Sequence, residues 1–166
     1  MENTQPQNDK KILIVDDEID ILESLEDLLD DMFMVDSASS FEEAVSCLKN
    51  NTYDVAILDI MGVRGYDLLE ATHNLGIPTL MLTAHALSPD NLKKSIERGA
   101  DAYIPKDKMV DISLYVEDVL ISRQNKRKNN FNWYARLRGR FDKLFGDGWK
   151  DPEKEFWDEF DKKHIE

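Results

Sequence analysis

The feature that most constrains this fold is an apolar run that ends abruptly at two acids. Residues 12–15 are four consecutive β-favouring apolar residues, and Asp16 and Asp17 follow them directly. Such a run is typical of a strand buried on both faces of a parallel sheet, and α/β proteins build sites beyond the carboxyl ends of such strands. Two adjacent carboxylates repel each other, so they need a compensating charge. A divalent cation and the positive end of a following helix are both candidates.

Three further apolar runs end at a polar or charged side chain. The runs and the side chains that follow them are 53–58 with Asp59, 78–82 with Thr83, and 100–105 with Lys106. Because the carboxyl ends of parallel strands meet at one edge of a sheet, the acids, the hydroxyl and the amine are predicted to converge there. Taken together, an Asp pair, an Asp, a Thr and a Lys in this order form a far more specific pattern than any one of them.

Strand-like and helix-like segments alternate along most of the chain. The strand-like runs lie near residues 11–16, 33–37, 54–59, 79–83 and 101–104, and the helical patterns near 19–30, 41–50, 66–75, 89–98 and 110–127. This alternation predicts an α/β fold with a parallel sheet covered on both faces. Ser88 and Pro89 support one helix start, since serine caps a helix and proline suits its first position.

Residues 10–121 resemble the receiver domain of bacterial two-component response regulators, because they carry the Asp pair, the third Asp, the Thr and the Lys in this order. The resemblance implies a doubly wound five-stranded parallel sheet in the order 2-1-3-4-5, flanked by five helices. The whole chain then divides into a disordered leader over residues 1–9, a receiver domain over 10–121 and a helical C-terminal extension over 122–166.

The resemblance also implies a function and a metal. Asp59 is expected to accept a phosphoryl group from the phosphohistidine of a sensor histidine kinase, assisted by Thr83 and Lys106. Mg²⁺ is the expected cofactor, and its implied ligands are Asp16, Asp17, Asp59 and the backbone carbonyl of Met61. The chain is expected to be a switch, with at most slow autodephosphorylation, and not an enzyme.

The same resemblance implies how phosphorylation is read. The hydroxyl of Thr83 and the amide of Ala84 are expected to bind the phosphate. Thr83 and Tyr103 are the expected switch pair, which remodels the surface of the fourth helix, fifth strand and fifth helix. Two alternatives stay open, namely a phosphorelay intermediate and a metal-dependent phosphotransferase or phosphatase using the same acids.

Two positions depart from the family pattern. The loop after Asp59 is about two residues shorter than usual and lacks its proline, so Gly62 and Gly65 must make the turn, which brings Arg64 near the site. Asp107 follows Lys106 where the family usually has a proline. The cis peptide bond typical of that position would be costly without proline, so strain or a trans bond is expected there.

The C-terminal extension differs in composition from the rest of the chain. It carries 12 of the 21 basic and 9 of the 34 acidic residues, so its charge is +3 and that of the remainder is −16. It also contains all three tryptophans. Tyr134, Leu137, Phe141, Leu144 and Phe145 recur at helical spacing, and a second short helix is predicted after Asp151 and Pro152.

Three interpretations of this extension remain open. It can pack on its own receiver, it can form a homodimer or dock another protein target, or, less plausibly, it can lie on an anionic membrane surface. No nucleic-acid partner is expected, because the extension lacks a helix-turn-helix pattern and the chain has a net charge of −13. The polar first residues, and the lack of a run of about 18 apolar residues, favour a cytoplasmic location.

Overall fold

The computed structural model describes residues 9–85, 87–124 and 132–164. Five parallel strands form one sheet in the order β2-β1-β3-β4-β5, which confirms the predicted α/β fold. The strands are β1 (Lys11–Val15), β2 (Met34–Ala38), β3 (Val55–Leu58), β4 (Thr79–Thr83) and β5 (Ala102–Pro105). The predicted leader, except for Asp9, lies outside the described residues.

Helices cover both faces of the sheet. Those of the receiver are α1 (Ile19–Leu29), α2 (Phe41–Asn50), α3 (Gly65–Asn74), α4 (Pro89–Glu97) and α5 (Ile112–Gln124), and the C-terminal extension adds α6 (Asn132–Phe145) and α7 (Lys154–His164). Two 3₁₀ segments, Lys106–Asp111 and Asp151–Glu153, precede α5 and α7. The predicted start of the fifth helix near residue 110 therefore falls in the first of these 3₁₀ segments.

Four of the five strands are apolar because helices cover them. All residues of β3, β4 and β5 are buried, as are Ile12 to Val15 of β1. Strand β2 pairs only with β1, and its more polar sequence includes exposed Met34 and Ser37. Strand β5 is also an edge strand, but helix α6 contacts it, so β5 is buried and apolar whereas β2 is not.

Register within the sheet brings the strand ends to one edge. Val15 of β1 is level with Leu58 of β3, and the amide of Asp59 donates a hydrogen bond of 2.9 Å to the carbonyl of Val15. At the far side of the sheet, Thr83 of β4 is level with Pro105 of β5. The residues that follow β1, β3 and β5 therefore meet as the sequence predicts.

The C-terminal helices pack against the receiver. Helix α6 contacts both β5 and α5, and its buried aromatic side chains join the same apolar cluster as the sheet. The buried aromatic residues of this segment are Trp133, Tyr134, Phe141, Trp149, Trp157 and Phe160. Packing on the receiver is thus the arrangement found in this structure. Across the ranges described, none of the helices is both long and apolar enough to cross a bilayer.

Candidate functional site

Three carboxylates gather at the carboxyl edge of the sheet. Asp16 and Asp17 follow β1 and Asp59 follows β3, and each offers an oxygen within 4.8 Å of the others. Asp16 is 1% and Asp59 3% exposed, whereas Asp17 is exposed. Two acids buried together are costly unless a cation compensates them. The structure thus brings the three predicted acids together, and their hard oxygen donors fit a cation such as Mg²⁺.

Lys106 supplies the one cation in contact with this cluster among the described residues. Its Nζ lies 2.8 Å from Oδ2 of Asp16 and 3.4 Å from Oδ2 of Asp59. Burial lowers the pKa of Lys106, but its hydrogen bonds to Asp16 and Glu18 and the charge of Asp59 outweigh burial and raise the pKa overall. The ammonium therefore stays charged and is held beside Asp59.

Asp59 lies in a position that is unfavourable for a charged carboxylate. Burial, followed by the charge of Asp16, raises the pKa of Asp59 to about 6, although Lys106 acts in the opposite direction. Without a further cation, one lysine faces several acids and cannot neutralise them all. The site is therefore organised to receive positive charge.

Glu18 is a site residue that the sequence reasoning missed. Its Oε1 accepts a hydrogen bond of 2.9 Å from Nζ of Lys106, and its amide donates to Oδ1 of Asp16 at 2.9 Å. The side chain is half exposed. The hydrogen bond from Lys106 lowers the pKa of Glu18. The available signal was its position directly after the Asp pair. Any anion that reaches Lys106 from solvent must compete with this carboxylate.

The expected phosphate-binding and backbone residues lie at the ends of β3 and β4. Thr83 is the last residue of β4 and is fully buried, and Ala84 follows it in an exposed bend. Met61 lies in the turn after β3, and 53% of it is exposed. Strands β3 and β4 are neighbours, so the three residues lie near the same edge as the acids.

The short loop after Asp59 passes directly over the acids. Gly62 has a φ of +85°, and a Cβ there would collide with the carboxylate of Asp17. A Cβ at Gly65 would collide with the backbone of Asp59 and Ile60. Both glycines are therefore required for this path, as the shortened loop predicts. Arg64 turns away to Phe41, with 4.0 Å from its guanidinium to the ring centroid.

Tyr103, the expected switch residue, is buried on β5. Its hydroxyl accepts a hydrogen bond of 3.3 Å from the amide of Ser88, the capping residue of α4. Its ring centroid lies 6.0 Å from that of Phe141 in α6. Burial raises the pKa of Tyr103. Tyr103 therefore joins the loop before α4 to the C-terminal helices.

The peptide bond after Lys106 is trans, because the described residues contain no cis peptide bond. Asp107 lies in the 3₁₀ segment, and its carboxylate forms an ion pair with Arg140 of α6. The unusual residue after Lys106 thus contacts the C-terminal extension.

A family model described as the response regulator receiver domain matches residues 12–116. Among curated proteins, the transcriptional regulatory protein CiaR of Streptococcus pneumoniae is 32% identical over 128 residues, which cover 74% of this chain and 54% of CiaR. The CpxR homolog of Haemophilus influenzae is 35% identical over 100 residues, covering 58% of this chain and 43% of that protein. The chain spans about half the length of these relatives.

Solved structures give the same result for the fold. A CheY-like receiver domain from Methanospirillum hungatei JF-1 is 32% identical, with a TM-score of 0.65, and the match covers 70% of this chain and 98% of that one. A receiver domain from Clostridium thermocellum is 29% identical, with a TM-score of 0.62, over 69% of this chain and 97% of that one. These neighbours match a part of the chain about the size of the predicted receiver.

Proposed function

Because the chain belongs to the response regulator receiver domain family, we propose that it is a phosphorylation-controlled switch of a two-component system, with Asp59 as the phosphoacceptor. The supporting observation is the burial of Asp59 beside Asp16 at the carboxyl edge of the sheet, with Lys106 in contact with both acids. The phosphoryl donor is the phosphohistidine of a sensor histidine kinase. This partner also implies a cytoplasmic location.

The transfer needs an attacking carboxylate and donors for the phosphoryl oxygens. An oxygen of Asp59 forms a bond to phosphorus while the bond between phosphorus and the imidazole nitrogen breaks, and the electron pair stays on that nitrogen. Lys106 leaves Glu18 and donates to a phosphoryl oxygen, and the hydroxyl of Thr83 and the amide of Ala84 donate to the others. The product is an acyl phosphate on Asp59.

Mg²⁺ is the cofactor that these residues fit. Asp16, Asp17 and Asp59, with the backbone carbonyl of Met61, would hold it, and when bound it would neutralise charge on the transferring phosphoryl group. The role of Asp16 and Asp17 is to bind this cation and not to act as bases. The acidic cluster then serves two purposes, which are binding the cation and positioning the nucleophile.

The output of this switch passes through contacts between proteins. Phosphorylation adds about two negative charges at one point, which draws Thr83 toward the phosphate, and the space that Thr83 leaves lets Tyr103 turn inward. We assign no nucleic-acid partner to the residues described, because the aromatic side chains of α6 and α7 are largely buried on the receiver and the chain carries a net charge of −13.

The phosphoacceptor assignment is tested with a small phosphodonor. Acetyl phosphate and Mg²⁺ should add one phosphoryl group per chain, as read by intact-mass spectrometry, and Asp59→Asn should abolish this labelling. The matched control is Asp67→Asn, since Asp67 is exposed and pairs with Arg64 outside the acidic cluster. Undiminished labelling of Asp59→Asn would reject the assignment. Release of phosphate from many donor molecules per chain would instead identify a phosphatase.

A further inference from the structure

We propose that α6 and α7 bind, within the same chain, the receiver face formed by α4, β5, the 3₁₀ segment 106–111 and α5. We further propose that docking of these helices favours phosphorylation of Asp59. The inference rests on the proposed function, because it concerns how the same site is regulated. It adds a partner, supplied by the chain itself, and a direction of coupling. Three sets of contacts support it.

The first contact joins the switch residue to the C-terminal helices. Tyr103 is completely buried, and so is Phe141 of α6, whose ring lies 6.0 Å from it. The hydroxyl of Tyr103 is held by the amide of Ser88 at 3.3 Å. The tyrosine therefore cannot turn toward solvent while Phe141 is in place. Docking of α6 and the buried position of Tyr103 stabilise each other.

The second contact joins the C-terminal helices to the neighbour of the site lysine. Arg140 forms an ion pair with Asp107, and Asp107 directly follows Lys106. The position that is usually a proline in this family thus carries the carboxylate that α6 binds. Fixing Asp107 also restricts the backbone at Lys106. Less ordering is then required when Lys106 binds a phosphoryl group, which makes phosphorylation more favourable.

The third set of contacts secures the edges of the docked helices. Nζ of Lys93 in α4 lies 3.0 Å from Oε1 of Glu153, and Nε of Arg136 in α6 lies 3.2 Å from Oδ2 of Asp118 in α5. Exposed pairs of this kind contribute little free energy. They do fix the register of the helices on the receiver. A cationic α6 on an acidic receiver is also favoured by the overall charge distribution.

The direction of coupling follows from Tyr103. The proposed switch places this tyrosine in a buried position when Asp59 is phosphorylated, and it is already buried where Phe141 covers it. Two events that favour one conformation favour each other, and their coupling is reciprocal. The docked helices should therefore tighten binding of a phosphoryl mimic, and the mimic should hold the helices more firmly.

The experiment compares full-length variants in binding of beryllofluoride with Mg²⁺, measured by calorimetry. Arg140→Ala and Phe141→Ala should weaken binding by about fivefold or more, the lower end of typical allosteric couplings. Arg138→Ala and Leu144→Ala are matched controls on exposed positions of the same helix and should bind as the wild type does. Arg140→Ala also covers the case in which Phe141→Ala does not fold.

Acrylamide quenching of tryptophan fluorescence supplies a second measurement, since all three tryptophans lie in the C-terminal extension. Tryptophan quenching in the wild type should be the same or lower with beryllofluoride than without it. Increased quenching would mean release of the helices and would overturn the proposed direction. Quenching that depends on protein concentration would place α6 on a second copy of the chain and overturn the assignment to its own receiver.

The two proposals fail in different ways. If beryllofluoride does not bind the wild type at all, the proposed function is overturned together with the coupling. If it binds the wild type, Arg140→Ala and Phe141→Ala equally well, only the coupling is overturned. Tighter binding by either variant would show that the docked helices oppose phosphorylation, which is the opposite of the proposal.

Discussion

At the scale of single residues, the site is governed by negative charge that the protein's own groups do not balance. Asp16 and Asp59 are buried, Asp17 is near them, and Lys106 bridges the two buried acids. Burial of like charges lowers the free energy of unfolding unless a cation is added. The acidic cluster therefore destabilises the folded state, as expected of the metal-binding and phosphoryl-accepting site that we propose.

Asp59→Asn should consequently stabilise the protein in a buffer with a metal chelator. Burial and the charge of Asp16 raise the pKa of Asp59 to about 6, above its value of 3.8 when unperturbed. A raised carboxyl pKa means that the folded state binds the proton more tightly, so the wild type loses free energy of unfolding as the pH rises from about 4 to about 6. At pH 7 the free energy of unfolding of the variant should exceed that of the wild type by about 3 kcal/mol, which corresponds to the shift of the Asp59 pKa from 3.8 to about 6.

Urea unfolding at pH 4 and pH 7 measures this difference. The gain should be largely absent at pH 4, where Asp59 is protonated in the folded state, and Mg²⁺ should reduce it at pH 7 by stabilising the wild type. Asp67→Asn serves as the exposed control and should show neither effect. Equal stability of Asp59→Asn and wild type at pH 7 would contradict the charge argument.

At the scale of elements, the loop after β3 shows how backbone geometry serves the acids. Gly62 and Gly65 let this loop lie against Asp17 and the backbone of Asp59, where side chains would collide. Arg64, between them, has the left-handed φ of 56°. The short loop thus places Met61 and its neighbours over the cluster, at the cost of requiring glycine.

Gly62→Ala should weaken Mg²⁺ binding as well as stability. The substitution adds a Cβ against the carboxylate of Asp17 at a φ of +85°, so it disturbs a ligand in addition to straining the backbone. Gly76→Ala is the matched control, because Gly76 has a φ of +75° but open space around the added Cβ. Both variants should lose about 1 kcal/mol of unfolding free energy.

Titration calorimetry with Mg²⁺ separates the two variants. Gly62→Ala should bind Mg²⁺ about tenfold more weakly, an effect typical of residues that position metal ligands. Gly76→Ala should bind it as the wild type does. If the two variants have the same affinity, the loop does not control Asp17.

Most of the element pattern could be predicted because burial imposes it on the sequence. Strands β3 and β4 are covered on both faces and so read as uninterrupted apolar runs, and the polar residues that end them mark the site. Glu18 was missed because its role depends on contact with Lys106, which lies 88 residues away in the sequence. Contacts between side chains so distant in sequence leave no periodic signal.

At the scale of the whole molecule, the C-terminal helices and the receiver share one apolar cluster. Phe141 contacts Tyr103 of the sheet, and Tyr134 stacks with Trp157 of α7 at 6.2 Å between ring centroids. The sequence predicted the helices and most of their apolar stripe, from which Leu144 departs by being exposed, but it did not predict the surface that they cover. The surface that the helices cover depends on the folded receiver. From the sequence, Asp107 was only a residue in place of the family's usual proline, and its ion pair with Arg140 was not predicted.

A single cluster predicts a single unfolding transition. All three tryptophans belong to the C-terminal extension, so their emission reports on this segment alone. Circular dichroism at the helical band reports mainly on the receiver, which contains five of the seven described α-helices. If the shared core couples the two parts, urea curves followed by both signals should have the same midpoint, as two-state unfolding requires.

Phe141→Ala should separate the two transitions, because it removes the aromatic contact with Tyr103 and leaves a cavity at the junction. The tryptophan signal should then change at a lower urea concentration than the dichroism signal. Leu144→Ala, on the exposed side of the same helix, should leave the two curves coincident. Separate midpoints already in the wild type would contradict the coupling, since they would mean that α6 and α7 open independently of the sheet under conditions in which the receiver stays folded.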